Sequence, residues 1–273
     1  MIARAPRSRR RGSSAAPVAP WLAVLATIAL AYFLLPLVAV FLRLPLPVLV
    51  AKLQSPQAFD ALGLSLKTSI VALVASIAIG TPLAYWLARA RGRFARVVET
   101  LMQMPIVVPP AVAGVGLLLV FGRSGLAGPT LHALGITIPF TPLAVILAQI
   151  FTGAPFFIFS AKQAFEGVDH DLVSVARTLG STPANAFARV TLPLAFSGLL
   201  SGAVLCWARS LGEFGATIVF AGNFPNTTQT LPLAIYTALD SSLELAVAMS
   251  ALLLAVAFVL LFAVRLVDRG RTT

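Results

Sequence analysis

The chain has 273 residues, of which 59% are hydrophobic and only 11% are charged. Water-soluble domains carry about 25% charged residues, so this composition excludes an ordinary soluble globule and predicts a membrane protein. The single cysteine, Cys206, excludes a disulfide framework and cysteine-based zinc or iron–sulfur sites. No phosphate-binding G-x-x-x-x-G-K-[ST] loop occurs. We therefore expect no enzyme site, no metal and no cofactor in this chain, and any ATP hydrolysis must be done by another protein.

Six apolar segments are long enough to cross a bilayer, whose core of ~30 Å needs about 20 residues of helix. They run from Trp21 to Leu42, Leu62 to Leu87, Thr100 to Phe121, Leu143 to Ala161, Leu194 to Glu213 and Leu245 to Val267. The sequence therefore predicts an all-α polytopic membrane protein with about six transmembrane helices. We expect one transmembrane domain over 21–267, preceded by a basic tail (1–20) and followed by a short tail (268–273). The first segment also fits a cleavable signal peptide, but its length favours an uncleaved anchor.

The positive charges predict how the chain is oriented. With the N-terminus inside, fifteen of the 20 Lys and Arg fall in inner segments, four fall in outer segments, and Arg209 lies within a span. Such an excess on one side is typical of cytoplasmic segments. We therefore expect a multi-pass protein of the cell inner membrane with both termini in the cytoplasm. The net charge of +11 is then explained by topology, and no nucleic-acid partner is expected.

The inner loop from Lys162 to Pro193 is longer than a turn between two helices needs. Within it, Asp171 is a candidate N-cap and Gly180 a candidate C-cap of a short helix. Its apolar residues follow a helical period and line one face: Leu172, Val175, Ala176 and Leu179. From the pattern alone, this helix is either an amphipathic connector resting on lipid headgroups or a docking element for a partner.

The segment from Val168 to Gly180, followed thirteen residues later by Pro193, resembles the coupling loop of ABC importer permeases. In that family the loop reads E-A-A, three residues, glycine, nine residues and then I-x-L-P. Ser174 stands at the first position of E-A-A, where the family usually has glutamate, and Asp169 and Asp171 are the nearby acidic residues. The resemblance implies a loop that docks in a separate cytoplasmic ATPase through Asp171, Leu172, Ser174, Val175, Ala176, Leu179, Gly180 and Pro193.

Two further stretches resemble the molybdate-uptake branch of these permeases. They are MPIVVPPAVAGVGLLLVFG from Met104, and ARSLGEFGATIVFAGN from Ala208 followed by TQTLPLAIYTAL from Thr228. The resemblance implies a type I ABC importer permease fold, a second permease copy forming a homodimer in the lipid, and an extracytoplasmic oxyanion-binding protein. It also implies alternating-access transport of molybdate and tungstate. Sulfate, thiosulfate and tungstate permeases are near relatives and remain alternatives.

Six residues are candidates for lining or gating the pathway: Pro109, Gly114, Arg209, Glu213, Gln229 and Thr230. Proline and glycine in a span either kink a packed helix or line a cavity. Arg209 and Glu213 are four residues apart and share a helix face, so they form either a structural pair or an anion guide or gate.

Two other classes of protein remain open, an intramembrane enzyme and an ion-coupled secondary transporter. An intramembrane enzyme would use Glu213, Asp240 or a histidine, but no second catalytic group stands at a usable spacing. A secondary transporter usually carries several intramembrane acids and internal repeats, whereas this chain offers Glu213 and no evident repeat.

Overall fold

The computed structural model describes residues 20–269, with side chains over 21–262, and every regular element in that range is helical. The all-α prediction is therefore confirmed. Residues 1–19 of the predicted basic tail and 270–273 of the predicted C-terminal tail lie outside the described residues. The chain divides into two units, one ending at Arg43 and the other beginning at Leu44.

The first unit contains one helix, α1 (Pro20–Leu42), which is apolar on all sides and has Pro36 in its interior. The stretch Trp21–Leu42 is long and apolar enough to cross a membrane. This agrees with the first predicted span.

The second unit contains the other helices. They are α2 (Leu46–Leu53), α3 (Pro56–Arg89), α4 (Arg93–Val107), α5 (Pro110–Phe121), α6 (Gly128–Ala133), α7 (Pro142–Glu166), α8 (His170–Thr178), α9 (Pro183–Ala186), α10 (Leu192–Leu211), α11 (Gly215–Phe220), α12 (Leu231–Ser241) and α13 (Leu243–Arg269). A π-helical turn, Phe187–Thr191, joins α9 to α10, so residues Pro183–Leu211 form one continuous candidate span. Three more candidate spans are α3, α7 and Leu243–Phe262 of α13.

The third predicted span, Thr100 to Phe121, does not form a single straight helix. Its residues form α4 and α5, whose axes are bent by 116° at the break, so the described chain has five candidate spans, or six if the bent pair is one. Val108 and Pro109 are extended there, with ψ of 130° and 135°. Each precedes a proline, and a following proline ring disfavours the helical conformation. Pro109 and Pro110 also lack the backbone N–H that a continuous helix needs.

Two loops are shorter than predicted. α7 continues to Glu166, so the predicted inner loop from Lys162 starts as helix, and Lys162 bridges Glu99 and Glu166 at 2.9 and 3.1 Å. The stretch between the fifth and sixth predicted spans, expected as an outer loop, contains α12.

Helices α3, α7 and α10 pack closely because small residues lie where they meet. The buried face of α3 consists largely of alanine, serine, threonine and glycine, repeated every three to four residues. On α10, a Cβ added to Gly202 would lie 2.6 Å from the Cβ of Ser160 on α7. Small residues at such positions allow the backbones of membrane helices to approach each other. This packing holds the middle of α10 against α7.

Candidate functional site

Helix α8 forms where the sequence predicts a short helix, and its end is built as expected. Gly180 has φ of +89°, its N–H donates to Arg177 O at 3.0 Å, and Ser181 N donates to Ala176 O at 3.0 Å. These bonds form the Schellman arrangement that satisfies the last carbonyl groups of a helix, and glycine adopts the required conformation without strain.

The start of α8 differs from the prediction. Its N-cap is Asp169, whose side chain accepts a hydrogen bond from Asp171 N at 2.8 Å, so the prediction of Asp171 as N-cap is wrong. Two aspartates lie two residues apart there, and the helix begins at the earlier one. Asp171 instead occupies the first turn, where a negative charge stabilises the helix dipole.

The predicted docking face of α8 is bare, that is, largely uncovered by the rest of the described chain. Leu172, Val175 and Leu179 are 50%, 57% and 82% exposed, and Ala176 is half-buried. A nine-residue helix is marginal by itself in water, and an apolar face left uncovered adds to its cost. Ser174 and Arg177 point to the opposite side of the helix, since successive residues turn by about 100°.

Aromatic contacts tie the π-helical turn after the α8–α9 segment to the long helices. Tyr85 of α3 lies edge-on to Phe165 of α7 and to Phe187 of the π-helical turn, with ring centroids 5.4 and 4.8 Å apart. Val173 of α8 packs against the same buried cluster. Pro193, the second residue of α10, comes two residues after the end of the π-helical turn. α8 is therefore linked to α3 and α7 through Val173 and the π-helical turn.

Arg209 and Glu213 are brought together at the other end of α10. Arg209 Nη1 lies 2.6 Å from Glu213 Oε2, and Glu213 Oε1 accepts a hydrogen bond from Ala216 N at 2.8 Å. Pro193 and Arg209 are sixteen residues apart on one helix, a rise of about 24 Å. The two predicted sets, on α8 and around Glu213, therefore lie at opposite ends of α10.

Gln229 and Thr230 lie in a buried segment between α11 and α12. Gln229 Nε2 donates to Asn223 Oδ1 at 3.0 Å, and Asn223 Nδ2 donates to Thr237 Oγ1 at 2.8 Å. Thr230 is 1% exposed and directly precedes α12. These contacts fix an irregular segment inside protein, where its backbone groups find partners. A role in the pathway stays a prediction for both residues.

Pro109 and Gly114 have different surroundings. Pro109 is exposed at the break between α4 and α5, whereas Gly114 is buried against α11. A Cβ on Gly114 would lie 2.7 Å from Val219 Cβ and 2.8 Å from Ala216 O. Gly114 therefore permits close packing of two helices, and the pathway role of both residues stays a prediction.

Sequence reasoning missed a polar network on α3. Ser65 Oγ accepts a hydrogen bond from Leu231 N at 2.6 Å, and Ser69 Oγ accepts one from Trp207 Nε1 at 2.9 Å. The sequence signal was a set of hydroxyl residues at helical spacing within an apolar span, which the structure shows to be buried: Ser65, Thr68, Ser69 and Ser76. Through these bonds α3 holds the irregular segment before α12 and the end of α10.

Comparison with known proteins places the chain. Residues 80–273 match the family described as "Binding-protein-dependent transport system inner membrane component". The molybdenum transport system permease protein ModB of Mycobacterium tuberculosis is 44% identical over 237 residues, covering 87% of this chain and 90% of that protein. ModB of Escherichia coli is 39% identical over 184 residues, covering 67% and 80%.

Solved structures agree on the fold. A chain from a bacterial ABC transporter involved in the import of the acidic polysaccharide alginate superposes with a TM-score of 0.72 at 18% identity, covering 93% of this chain and 96% of that one. A chain of the MetNI methionine ABC transporter gives 0.61 at 20% identity, covering 78% and 95%. The solved structures show that the all-helical chain has the permease fold of type I ABC importers. The family match and the ModB relatives show that the chain belongs to the family of binding-protein-dependent transport system inner membrane components.

Proposed function

We propose that the chain is the membrane-spanning subunit of an ATP-driven importer for molybdate and that it also passes tungstate. The observation that carries this proposal is the 44% identity to a molybdenum permease over 87% of one chain and 90% of the other. Fold similarity alone extends to an alginate transporter at 18% identity and does not distinguish substrates.

A separate cytoplasmic ATPase covers the apolar face of α8 in this proposal. The bare Leu172, Val175 and Leu179 supply the contact, and the aromatic contacts of Tyr85 and Phe187 carry the motion to the long helices. A rigid element docked in a moving partner transmits a shear movement. The fifteen basic residues assigned to the inner side favour this orientation, with both termini in the cytoplasm.

A second copy of the chain supplies the other wall of the pathway, and an extracytoplasmic binding protein delivers the ion. The ion undergoes no covalent chemistry, because ATP binding and hydrolysis only shift the equilibrium between inward-open and outward-open states. Arg209, a cation within the span region, is neutralised by Glu213. This supports weak binding along the pathway and rapid release, as conduction requires.

Reconstitution tests the proposal. Vesicles that contain this chain, its ATPase and its binding protein should take up radiolabelled molybdate. Uptake should require ATP on the side of the membrane where the ATPase lies. Unlabelled tungstate should compete strongly and sulfate weakly. Uptake driven by an ion gradient without ATP would overturn the assignment in favour of a secondary transporter, and ATP-driven uptake of sulfate alone would overturn the substrate.

A further inference from the structure

We propose that Lys162 is a positioning residue, which holds α4 against the last turn of α7 and the linker to α8 and so makes α4 part of the coupling element. We call this stretch, residues 163–169, the α7–α8 junction. Lys162 Nζ lies 2.9 Å from Glu99 Oε1 of α4 and 3.1 Å from Glu166 Oε1 of its own helix. The proposal rests on the proposed function for one point, that α8 docks in a separate ATPase.

The Glu99–Lys162 ion pair joins two helices in a partly shielded place. The side chains of Lys162 and Glu99 are 16% and 30% exposed. Both members of the other interhelical pair in the described chain, Lys52–Glu244, are more exposed. Shielding from water strengthens the attraction between two charges and reduces its screening by salt. We therefore expect the Glu99–Lys162 pair to hold its helices more firmly than an ordinary surface pair does.

Helix α4 has few other attachments to the described chain. Ala95 is the one buried residue among the 15 of α4, and Val98 is partly buried. Phe94 lies edge-on to Trp86 of α3, with ring centroids 5.9 Å apart, but is itself largely exposed. Glu99 makes the hydrogen bond and the ion pair that join a side chain of α4 to another described helix. The position of α4 therefore depends strongly on this one contact.

Helices α4 and α8 both touch the α7–α8 junction. Phe165 and Val168 of the junction belong to one buried cluster, and Val98 of α4 and Val173 of α8 pack against that same cluster. The ion pair stands beside this contact, because its two residues directly follow Val98 and precede Phe165 by one turn. It therefore fixes α4 on the part of the chain from which α8 extends.

Glu166 prepares Lys162 for this contact. The two residues are four apart on α7, a spacing at which opposite charges pair on one helix face. A lysine that is already ordered loses less side-chain entropy when it binds a second carboxylate. When Glu99 is replaced, Lys162 keeps Glu166 as its partner, so no unpaired half-buried charge remains. Substitution of Glu99 therefore removes the tie between the helices without a reason for the chain to unfold.

The other end of α4 leads to residues around Glu213. At Pro109 the chain turns from α4 into α5, where Gly114 packs against α11 so closely that an added Cβ would lie 2.8 Å from Ala216 O. The N–H of Ala216 donates to Glu213. α4 and α5 thus form a second connection, besides α10, between the α7–α8 junction and the residues near Glu213. The tie at Lys162 sets where this connection starts.

The first test measures the position of α4 in the full chain alone, by hydrogen exchange of its backbone amides in detergent. Glu99→Gln should speed exchange over residues 93–107 about fivefold, the upper end of what a partly exposed ion pair contributes, and leave α10 unchanged. Glu99→Lys places two cations at the contact and should have at least the same effect. Lys162→Arg keeps the charge and should exchange like the unaltered chain.

Two carboxylate variants are matched controls. Glu166→Gln removes the same charge from the same lysine but keeps the pair between α4 and α7, so exchange in α4 should stay unchanged. Glu244→Gln removes a carboxylate from the exposed pair with Lys52 and should also leave α4 unchanged. Together they separate a tie between helices from a general effect of charge.

The second test uses the transporter assembled with its ATPase and its binding protein. Glu99→Gln should lose most of the stimulation of ATP hydrolysis by ligand-loaded binding protein, and Lys162→Arg should retain it. The ATPase should still co-purify with Glu99→Gln, because the apolar face of α8 is intact. A purely structural role would lower the thermal unfolding midpoint or the association of the ATPase, and would leave the ratio of stimulated to unstimulated hydrolysis unchanged.

Three results would overturn the proposal. They are unchanged α4 exchange in both Glu99 variants, equal acceleration in Glu244→Gln, and normal stimulation of hydrolysis in a Glu99→Gln chain whose α4 exchanges faster. The exchange measurement needs no ATPase and no transported ion, so its failure counts against the tie alone. Failure of the unaltered chain to bind an ATPase would instead count against the proposed function.

Discussion

Arg209 and Glu213 form an ion pair of 2.6 Å across the end of α10, and the two partners are unequally exposed. The Glu213 side chain is 1% exposed and that of Arg209 30%. Glu213 also accepts the hydrogen bond from Ala216 N in the first turn of α11. One buried carboxylate thus fixes the junction between α10 and α11, while its partner can reach water.

This asymmetry predicts an order of stability among variants. Arg209→Gln leaves a buried, uncompensated carboxylate and should lower the free energy of unfolding. Breaking a fully buried pair costs about 3–5 kcal/mol, and we expect the loss here to be no larger than that. Glu213→Gln leaves an arginine that can hydrate and should cost less. The double variant should recover part of the loss, measured as a double-mutant cycle on unfolding in detergent.

Lys52→Gln is the control for this prediction. Lys52 pairs with Glu244 at 3.1 Å, but their side chains are 36% and 56% exposed, so its loss should cost less than about 1 kcal/mol. Equal destabilisation by Arg209→Gln and Glu213→Gln would contradict the interpretation of a buried carboxylate.

The Arg209–Glu213 pair and α8 were predictable because both depend on short-range spacing. Four residues place two side chains on one helix face, and apolar residues at helical intervals with a following glycine specify a short helix. A kink at Pro109 was one of two alternatives, but the size of the bend between α4 and α5 was not predictable, because a hydropathy window averages over Pro109 and Pro110 and contains no information on helix direction. The contact of Ser65 with Leu231 joins residues 166 positions apart, and no local pattern specifies such a pairing.

A charge on the bare face of α8 should uncouple the protein without unfolding it. Leu179 is 82% exposed, so Leu179→Asp removes little packing within the chain but would bury a charge in the proposed ATPase contact. Ligand-stimulated ATP hydrolysis should be lost, and the ATPase should no longer co-purify. Leu179→Met, which keeps an apolar side chain, should behave like the unaltered protein.

Two changes within the same helix test whether its shape matters as well. Ala176→Glu places a charge beside Leu172 and Leu179, and Gly180→Pro removes the N–H that bonds to Arg177 O and cannot adopt φ of +89°. Both should abolish stimulated hydrolysis while the spans still insert. Normal coupled hydrolysis in both would favour a connector that merely rests on the membrane surface.

Gly114 and Gly116 offer a matched pair for the packing of α5. Gly114→Ala places a Cβ 2.7 Å from Val219 Cβ and 2.8 Å from Ala216 O, so α5 and α11 must separate, at a cost of about 1–3 kcal/mol. A Cβ on Gly116 would meet no neighbouring atom of the described chain within 4 Å, so Gly116→Ala should be neutral or slightly stabilising. Thermal unfolding of the two variants checks this, and equal midpoints would refute the tight α5–α11 contact.

Reporter fusions test the orientation that the charges predict. Fusions after Arg96 and within α8 should report cytoplasm, and fusions near Lys52, Gly128 and Asn226 should report the outside. The fusions at Arg96 and Gly128 also decide whether the bent pair α4–α5 crosses the membrane. If both report the same side, the pair is a re-entrant segment, and an external signal from α8 would exclude its contact with a cytoplasmic ATPase.

Selectivity for the transported ion should reside mainly outside this chain. A tetrahedral dianion held in a closed site needs several free donors or positive charges, but the outer segments carry only four basic residues, of which Lys52 is paired with Glu244, and Arg209 in the span is paired with Glu213. Replacing the molybdate-binding protein by a sulfate-specific one that still docks should therefore change the transported ion to sulfate. Uptake of labelled molybdate and sulfate into vesicles measures this, with the original binding protein as control. A molybdate preference that persists after the exchange would place selectivity in the helices and contradict a permissive pathway.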